Sequence, residues 1–343
     1  MNRPFRLSVA VPLYNEESVL PELLRRTGIV LDSLAGGPHE IVLVDDGSSD
    51  RTLEILEAEA AHNPRIVGVA LSRNFGHQAA LTAALDHCSG DAVVVMDADL
   101  QDAPEVIPRF VEKYRDGYDV VYATRAHRKE AWWLKLSYFL FYRLLAVLSQ
   151  LDLPLDAGDF ALISRRVVEQ LRRLPEHNRY LRGLRSWVGF RQIGIPVERG
   201  ERHSGQSKYS FRKLVELASD GIFAFSIVPL RAAILLGALA TILAGLFTVY
   251  AIYVRLFLRR SPQGFTALVL LITFLSGILL FFMGIIGEYV GRLYEEVKAR
   301  PLYIIGKTVG WPPSRKLGVL SPESAATTPM TPTCPAPSKD GTE

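Results

Sequence analysis

Between Ala232 and Val254, and again between Ser261 and Gly287, the chain carries no charged side chain. A helix needs ~20 apolar residues to cross a hydrocarbon layer ~30 Å thick, and each stretch is long enough. Buried core helices are the competing reading, but two such runs so close together predict a transmembrane hairpin, with helices at about 232–254 and 263–287. Whatever precedes them must then fold beside a membrane.

Ahead of the hairpin, short β-rich runs alternate with longer helical ones. Strands are expected at Leu7–Val11, Ile41–Val44, Ile66–Ala70, Val93–Met96 and Val120–Ala123. Helices are expected near Glu17–Leu34, Asp50–Ala61, His77–His87 and Pro104–Arg115, with Ser49 and Asp50 as N-caps and Pro104 in a first turn. Strands alternating with helices imply an α/β fold with a mostly parallel sheet covered on both faces. In such sheets ligands bind beyond the carboxyl ends of the strands. Two of the strands run straight into acid there: IVLVDDGSSD ends in Asp45, Asp46 and Asp50, and VVVMDADLQD in Asp97, Asp99 and Asp102.

Alternate residues of a strand share a face, so Asp97 and Asp99 converge, and clustered carboxylates resist joint ionisation without a cation. A hard dication, Mg²⁺ or Mn²⁺, accepts such oxygens and bridges to substrate phosphates. The pair therefore points to a metal-bound, phosphorylated ligand. A turn whose Asp side chains cap the helix at Pro104 is the plainer alternative. A haloacid-dehalogenase-type phosphatase also ends a strand in Asp-x-Asp, but expects it near the start of the fold and a Thr or Val where Gln101 stands. At VDDGSSD, Gly47 permits a tight turn; at VPLYNEE, Asn15 and Glu16 follow the first strand.

The balance of 39 basic and 36 acidic residues, net +3, is too mild for a nucleic-acid partner. Cys88 and Cys334 give neither a disulfide framework nor metal-site spacing. The N-terminal MNRPFRLSVAVPLYNEE lacks the apolar run of a signal peptide, so the first domain is expected in the cytoplasm, and two crossings return the C-terminus there. Basic residues flank the hairpin on that side, Arg212, Lys213 and Arg231 before it and Arg292, Lys298 and Arg300 after it. Arg255, Arg259 and Arg260 in the connection oppose the bias.

The aromatic segment 131–151, broken by Lys135 and Arg143, suits a helix lying in the membrane interface, and 211–230 a second amphipathic approach to the first span. Residues 292–310 read as a cytoplasmic segment, and the Pro-, Ser- and Thr-rich 311–343 as a disordered tail.

Four motifs, VAVPLYNEE, VDDGSSDRT, LSRNFGHQAAL and MDADLQDAPE, occur in the order found in family 2 glycosyltransferases of the GT-A, Rossmann-like fold. The chain resembles the polyprenyl-phosphate glycosyltransferases, among them bactoprenol glucosyltransferases and dolichyl-phosphate mannose synthase, over about residues 5–310. The resemblance implies a GT-A domain over 1–210. It implies that Pro12, Tyr14 and Glu16 border the nucleotide, that Asp45 reads the base with Asp46 beside it, and that Asp97, Asp99 and Gln101 form the metal and diphosphate site. It places Arg125, in YATR, near the donor or lipid phosphate and Asp159, in DAGDFALISRR, close to the transfer site. RHSGQSKYSF matches the family's Arg-x-x-Gly-x-Ser-Lys-Tyr element, so Arg202, Ser207 and Lys208 are expected at the lipid phosphate. Without that pattern they read as a polybasic flank drawn to anionic lipid.

The implied reaction is inverting transfer from a nucleotide-sugar, UDP-glucose foremost, to undecaprenyl phosphate at the inner membrane, by an enzyme that assembles as a homo-oligomer such as a tetramer. A processive polysaccharide synthase would usually add a Gln-x-x-Arg-Trp signature, whereas RGLRSW, 182–187, lacks the Gln and sets Ser186 before Trp187. A non-catalytic sugar-nucleotide-binding scaffold is the remaining alternative.

Overall fold

A computed structural model describes residues 4–125, 157–174, 176–177, 179–197, 228–257 and 264–311. The expected interfacial helix at 131–151, most of the approach at 211–230 and the tail beyond Trp311 lie outside the described residues.

The chain runs β1 (Leu7–Leu13), α1 (Leu20–Ser33), β2 (Glu40–Asp45), α2 (Thr52–His62), β3 (Ile66–Leu71), α3 (His77–His87) and β4 (Ala92–Val95). A 3-10 turn at Pro104–Val106 leads into α4 (Ile107–Arg115), followed by β5 (Val120–Arg125) and β6 (Ala157–Ser164). Then come α5 (Arg165–Arg173), α6 (Leu181–Trp187), β7 (Gln192–Val197), the long helices α7 (Val228–Phe257) and α8 (Phe265–Lys298), and β8 (Ile305–Val309). All five strands expected from the sequence form, as do the four helices, with ends that shift by a few residues.

The strands make one eight-stranded sheet in the order β7-β5-β6-β4-β1-β2-β3-β8. It is mixed rather than mostly parallel: β6 runs antiparallel to both β4 and β5, and β8 antiparallel to β3. β6, β7 and β8 escaped the sequence reading because each lies beyond the regular strand–helix alternation that carried it. The central strands β1, β2 and β3 are buried along their whole length, so they read as continuous apolar runs rather than alternating ones. Alternate residues serve two cores. Val9, Val11, Ile41 and Leu43 face the layer of α1 and α4, where Phe110 and Phe160 pack with ring centroids 4.8 Å apart. Ala10, Val42 and Val44 face α3 and α5.

The segment 292–310, expected as a cytoplasmic segment, is divided between two elements. α8 continues to Lys298, and β8 then pairs Val309, Thr308 and Lys307 with Gly68, Val69 and Ala70 of β3, closing that edge of the sheet. Within α7 and α8, Leu230–Tyr250 and Phe274–Lys298 are long and apolar enough to cross a membrane, and side chains such as Leu235, Phe247, Phe274 and Phe281 are exposed.

Candidate active site

The parallel strands β4, β1 and β2 lie side by side, so their carboxyl ends bring Asp97, Tyr14 and Asp45 to one edge. Because β6 is antiparallel to β4, its beginning lies at that same edge, and Asp159 with it. β5, antiparallel to β6, ends there at Arg125, one residue beyond the Thr124–Ala157 pairing. One edge therefore gathers residues from five strands. The side chain of Arg125, and all of Arg202, Ser207 and Lys208, lie outside the described residues.

The loops after β1 and β2 are laced together. Asn15, in the left-handed region at φ 57°, donates its N–H to Ser48 Oγ at 3.0 Å and accepts Ser49 N–H at 2.8 Å. Glu16 N–H reaches Thr52 Oγ1 at 2.8 Å. The N-cap of α2 is Arg51 rather than the expected Ser49 or Asp50; Asp50, one residue ahead of it, accepts from Thr52 N–H at 3.0 Å and from Glu17 N–H across the gap at 3.2 Å. This lacing holds Tyr14, half exposed, at the mouth of the site. Pro12 lies within β1, paired with Val44.

Asp45 and Asp46 are both buried. Burial pushes the Asp45 carboxyl up, and hydrogen bonds from Ser48 pull the other way. Asp46 is likewise raised by burial, opposed by the Phe75 and Gly76 N–H groups that its two oxygens accept at 2.7 and 2.9 Å. These bonds fix the start of α3 against the end of β2. Gly47 makes the junction possible: its φ is +68°, and a Cβ there would stand 2.7 Å from the Arg73 and Asn74 backbone.

Asp97 and Asp99 follow β4 in a turn rather than sharing a strand face, since β4 ends at Val95. Leu100 takes φ 56°, and Asp99 Oδ1 accepts Gln101 N–H at 3.1 Å, so Asp99 also shapes its own turn. Ala103, the residue at the N-cap of the Pro104 turn, offers no side-chain cap of its own. His77 Nε2, from the first turn of α3, stands 3.7 Å from Asp97 Oδ1. Among the described residues no three His, Cys, Asp or Glu side chains cluster as a metal cage. Two carboxylates and an amide on one turn instead suit Mg²⁺ or Mn²⁺, which commonly take few protein ligands and complete their shell from phosphate and water.

Asp159 is paired. Arg182, on α6, donates Nε and Nη2 to its two oxygens at 3.1 and 2.7 Å. Burial would raise this carboxyl, but the Arg182 guanidinium, with Arg185 and His77 behind it, holds it below the usual carboxylate range. Arg185 is buried, donates to Gly158 O at 3.2 Å and lies over the Tyr122 ring at 5.3 Å. Burial lowers its pKa to about 10, so it remains a cation at neutral pH.

Comparison with known proteins bears on what such an edge does. The glycosyl transferase family 2 pattern matches residues 8–172. The chain is 43% identical to the uncharacterized glycosyltransferase YkcC of Bacillus subtilis, over 90% of this chain and 96% of that one. The chain belongs to glycosyltransferase family 2. This family 2 enzyme is also 40% identical to the bactoprenol glucosyl transferase of Shigella phage SfII, over 88% of its own length and 98% of the phage protein's. More distantly it is similar to the solved mannosyltransferase PcManGT of Pyrobaculum calidifontis in complex with GDP-Man and Mn²⁺. There the identity is 19%, the TM-score 0.42, and the coverage 87% of this chain and 86% of that chain. The mixed α/β sheet of the glycosyltransferase is the GT-A-like arrangement that its motifs led one to expect.

The glycosyltransferase places further residues at the edge to which the sequence reading gave no role. His77 lies inside the LSRNFGHQAAL motif, and Arg182 and Arg185 inside RGLRSW. The usable signal for the two arginines was their spacing of three, which puts both on one face of a helix.

Proposed function

We propose that this glycosyltransferase moves a sugar from a nucleotide-sugar, UDP-glucose foremost, onto undecaprenyl phosphate, with inversion at the anomeric carbon. The site would work at the cytoplasmic face of the inner membrane. The observation that carries this reading is the extent of the likeness to the phage bactoprenol glucosyl transferase. A match of 304 residues cannot fit ahead of α7, so it includes the apolar hairpin as well as the acidic edge. An enzyme whose acceptor is a membrane lipid needs both.

The chemistry of the edge supports the assignment. The acceptor, a phosphate monoester with a second pKa of about 6, is largely anionic at neutral pH and needs little help from a base. Asp159 agrees with that economy: already ionised and gripped by Arg182, it serves to orient rather than to collect a proton. Arg182 and Arg185 against one Asp159 leave surplus positive charge, which favours bringing a second phosphate toward the first. Arg125, Arg202, Ser207 and Lys208 would add to it at the lipid phosphate. Asp97, Asp99 and Gln101 would hold a divalent cation whose role is to stabilise charge on the departing diphosphate. Tyr14 and Glu16 would border the nucleotide, and Asp45 would accept from its base. The exposed apolar sides of α7 and α8 suit lipid and neighbouring copies, in keeping with a homo-oligomer such as a tetramer.

The test is to offer the purified full chain labelled UDP-glucose, other UDP-sugars and GDP-mannose with undecaprenyl phosphate, then identify the lipid product. A glucosylated lipid that forms with Mg²⁺ or Mn²⁺ and disappears with chelator is expected. Asp99→Asn should slow transfer by roughly 100-fold or more, a few kcal/mol of lost charge stabilisation. Lipid product from no donor would overturn the assignment.

A further inference from the structure

The partner of Asp159 carries more than the acid itself. Asp159 sits at the start of β6, and α6 is fastened to that region at two points. Gln78 Oε1, from the first turn of α3, accepts Leu181 N–H at 3.1 Å, and Arg185 Nη2 donates to Gly158 O at 3.2 Å. Between those two ties, Arg182 closes its fork on Asp159 at 3.1 and 2.7 Å. Both side chains are a little over one quarter exposed, at 28% and 27%, so the pair borders the open edge without being fully solvated. A bidentate pair of this kind fixes the rotation of the carboxylate as well as its charge. A surface ion pair between two long, loose side chains would do neither. The sequence separation of 23 residues and the seven-residue length of α6 mean that nothing local requires the contact. The helix is held in place from outside, and its first charged side chain points at Asp159.

We infer that Arg182 is a positioning residue for the sugar transfer, fixing the orientation of Asp159 from the side of α6. The inference rests on the reading above, in which Asp159 acts at the transfer centre, and goes beyond it by naming what sets that carboxylate in place. Lysine offers a single point of charge in place of a planar fork, so it should hold Asp159 only in part.

The experiment compares Arg182→Gln, Arg182→Lys, Asp159→Asn and the Arg182→Gln/Asp159→Asn double variant in the full chain. It measures lipid-product formation from UDP-glucose and undecaprenyl phosphate, with the unfolding midpoint of each variant recorded alongside. Arg182→Gln should lower kcat by about 10- to 100-fold, the range for loss of an orienting partner, while both KM values move less than about 3-fold. Arg182→Lys should recover part of the rate. The double variant should be no slower than Asp159→Asn, because the two residues act as one unit. Multiplying losses, or a rise in KM with kcat unchanged, would overturn the positioning role. If Arg182→Gln does not fold, Arg182→Lys carries the test: a wild-type kcat in that variant overturns the role, and a reduced kcat at unchanged KM supports it. Wild-type turnover by Asp159→Asn would bring down the reading of Asp159 as well, whereas a slow Asp159→Asn beside a fast Arg182→Gln would bring down this inference alone.

Discussion

Asp46 shows how a residue chosen for its charge spends that charge on architecture. Its two oxygens accept Phe75 and Gly76 N–H, and its own N–H donates to Leu13 O at 2.9 Å, so three segments of the site meet on it. Asn has the same shape but one acceptor, and its amide would face a backbone N–H. Asp46→Asn is expected to cost about 1–3 kcal/mol of stability, the penalty of a buried donor left unmatched. A denaturant midpoint checks it, and a midpoint equal to wild type would mean that the loop holds without the carboxylate. Gly47→Ala meets a harder obstacle, backbone atoms at 2.7 Å with φ at +68°, and should cost more than an ordinary Gly→Ala change. The acidic residues were legible because buried strands end in them, a pattern local in sequence. His77, Arg182 and Arg185 were not, because each takes its meaning from a partner on another element: Asp97, Asp159 and Gly158 respectively.

The same contrast holds for elements. The strands and helices through β5 follow a regular alternation and could be read directly, whereas β8 arrives only after two apolar helices, outside that alternation. What secures it is tertiary. Ser72 N–H donates to Ile304 O at 2.9 Å, Tyr303 OH donates to Asp86 Oδ2 at 2.9 Å, and His177 N–H donates to Glu296 Oε1 at 2.8 Å. The Trp311 ring meets the buried His87 at 5.3 Å. Asp86 lies in the last turn of α3 and His77 begins it, so this anchorage and the active edge share one helix. Burial raises the Asp86 pKa, and the Tyr303 hydroxyl, Arg172, Arg179 and His87 oppose the rise. Tyr303→Phe removes the first of those opposing groups and should cost about 1–3 kcal/mol. It also moves Asp86 further up. A group with a raised folded-state pKa loses its stabilising contribution as pH climbs through that value, so the deficit of Tyr303→Phe relative to wild type should widen from pH 5 to pH 8. Unfolding midpoints at the two pH values decide it; a deficit that narrows would mean that the hydroxyl does not support the carboxylate.

For the whole molecule, β8 bears on a conflict that charge alone leaves open. Arg255, Arg259 and Arg260 lie between the two apolar stretches, and by the positive-inside bias they pull that connection toward the cytoplasm. A strand hydrogen-bonded to β3 must, however, be on the same side of the membrane as the catalytic sheet, because backbone pairing does not reach across a bilayer. Since α8 leads into β8 within a few residues, the Lys298 end of α8 is on the catalytic side, and the Phe265 end opposes it if the helix spans. Three arginines bias a topology by a modest amount, whereas pulling β8 from β3 would expose a row of backbone groups and the Tyr303 and Trp311 contacts together. The pairing should therefore prevail. With Cys334 replaced by Ser, and Cys88 buried, Ser261→Cys is expected to react with a membrane-impermeant maleimide added to intact cells. Lys307→Cys, on the exposed side of β8, should react only after the membrane is opened. Labelling of Lys307→Cys in intact cells, with Ser261→Cys protected, would place the sheet on the far face, away from the nucleotide-sugars of the cytoplasm, and the proposed reaction would lose its donor.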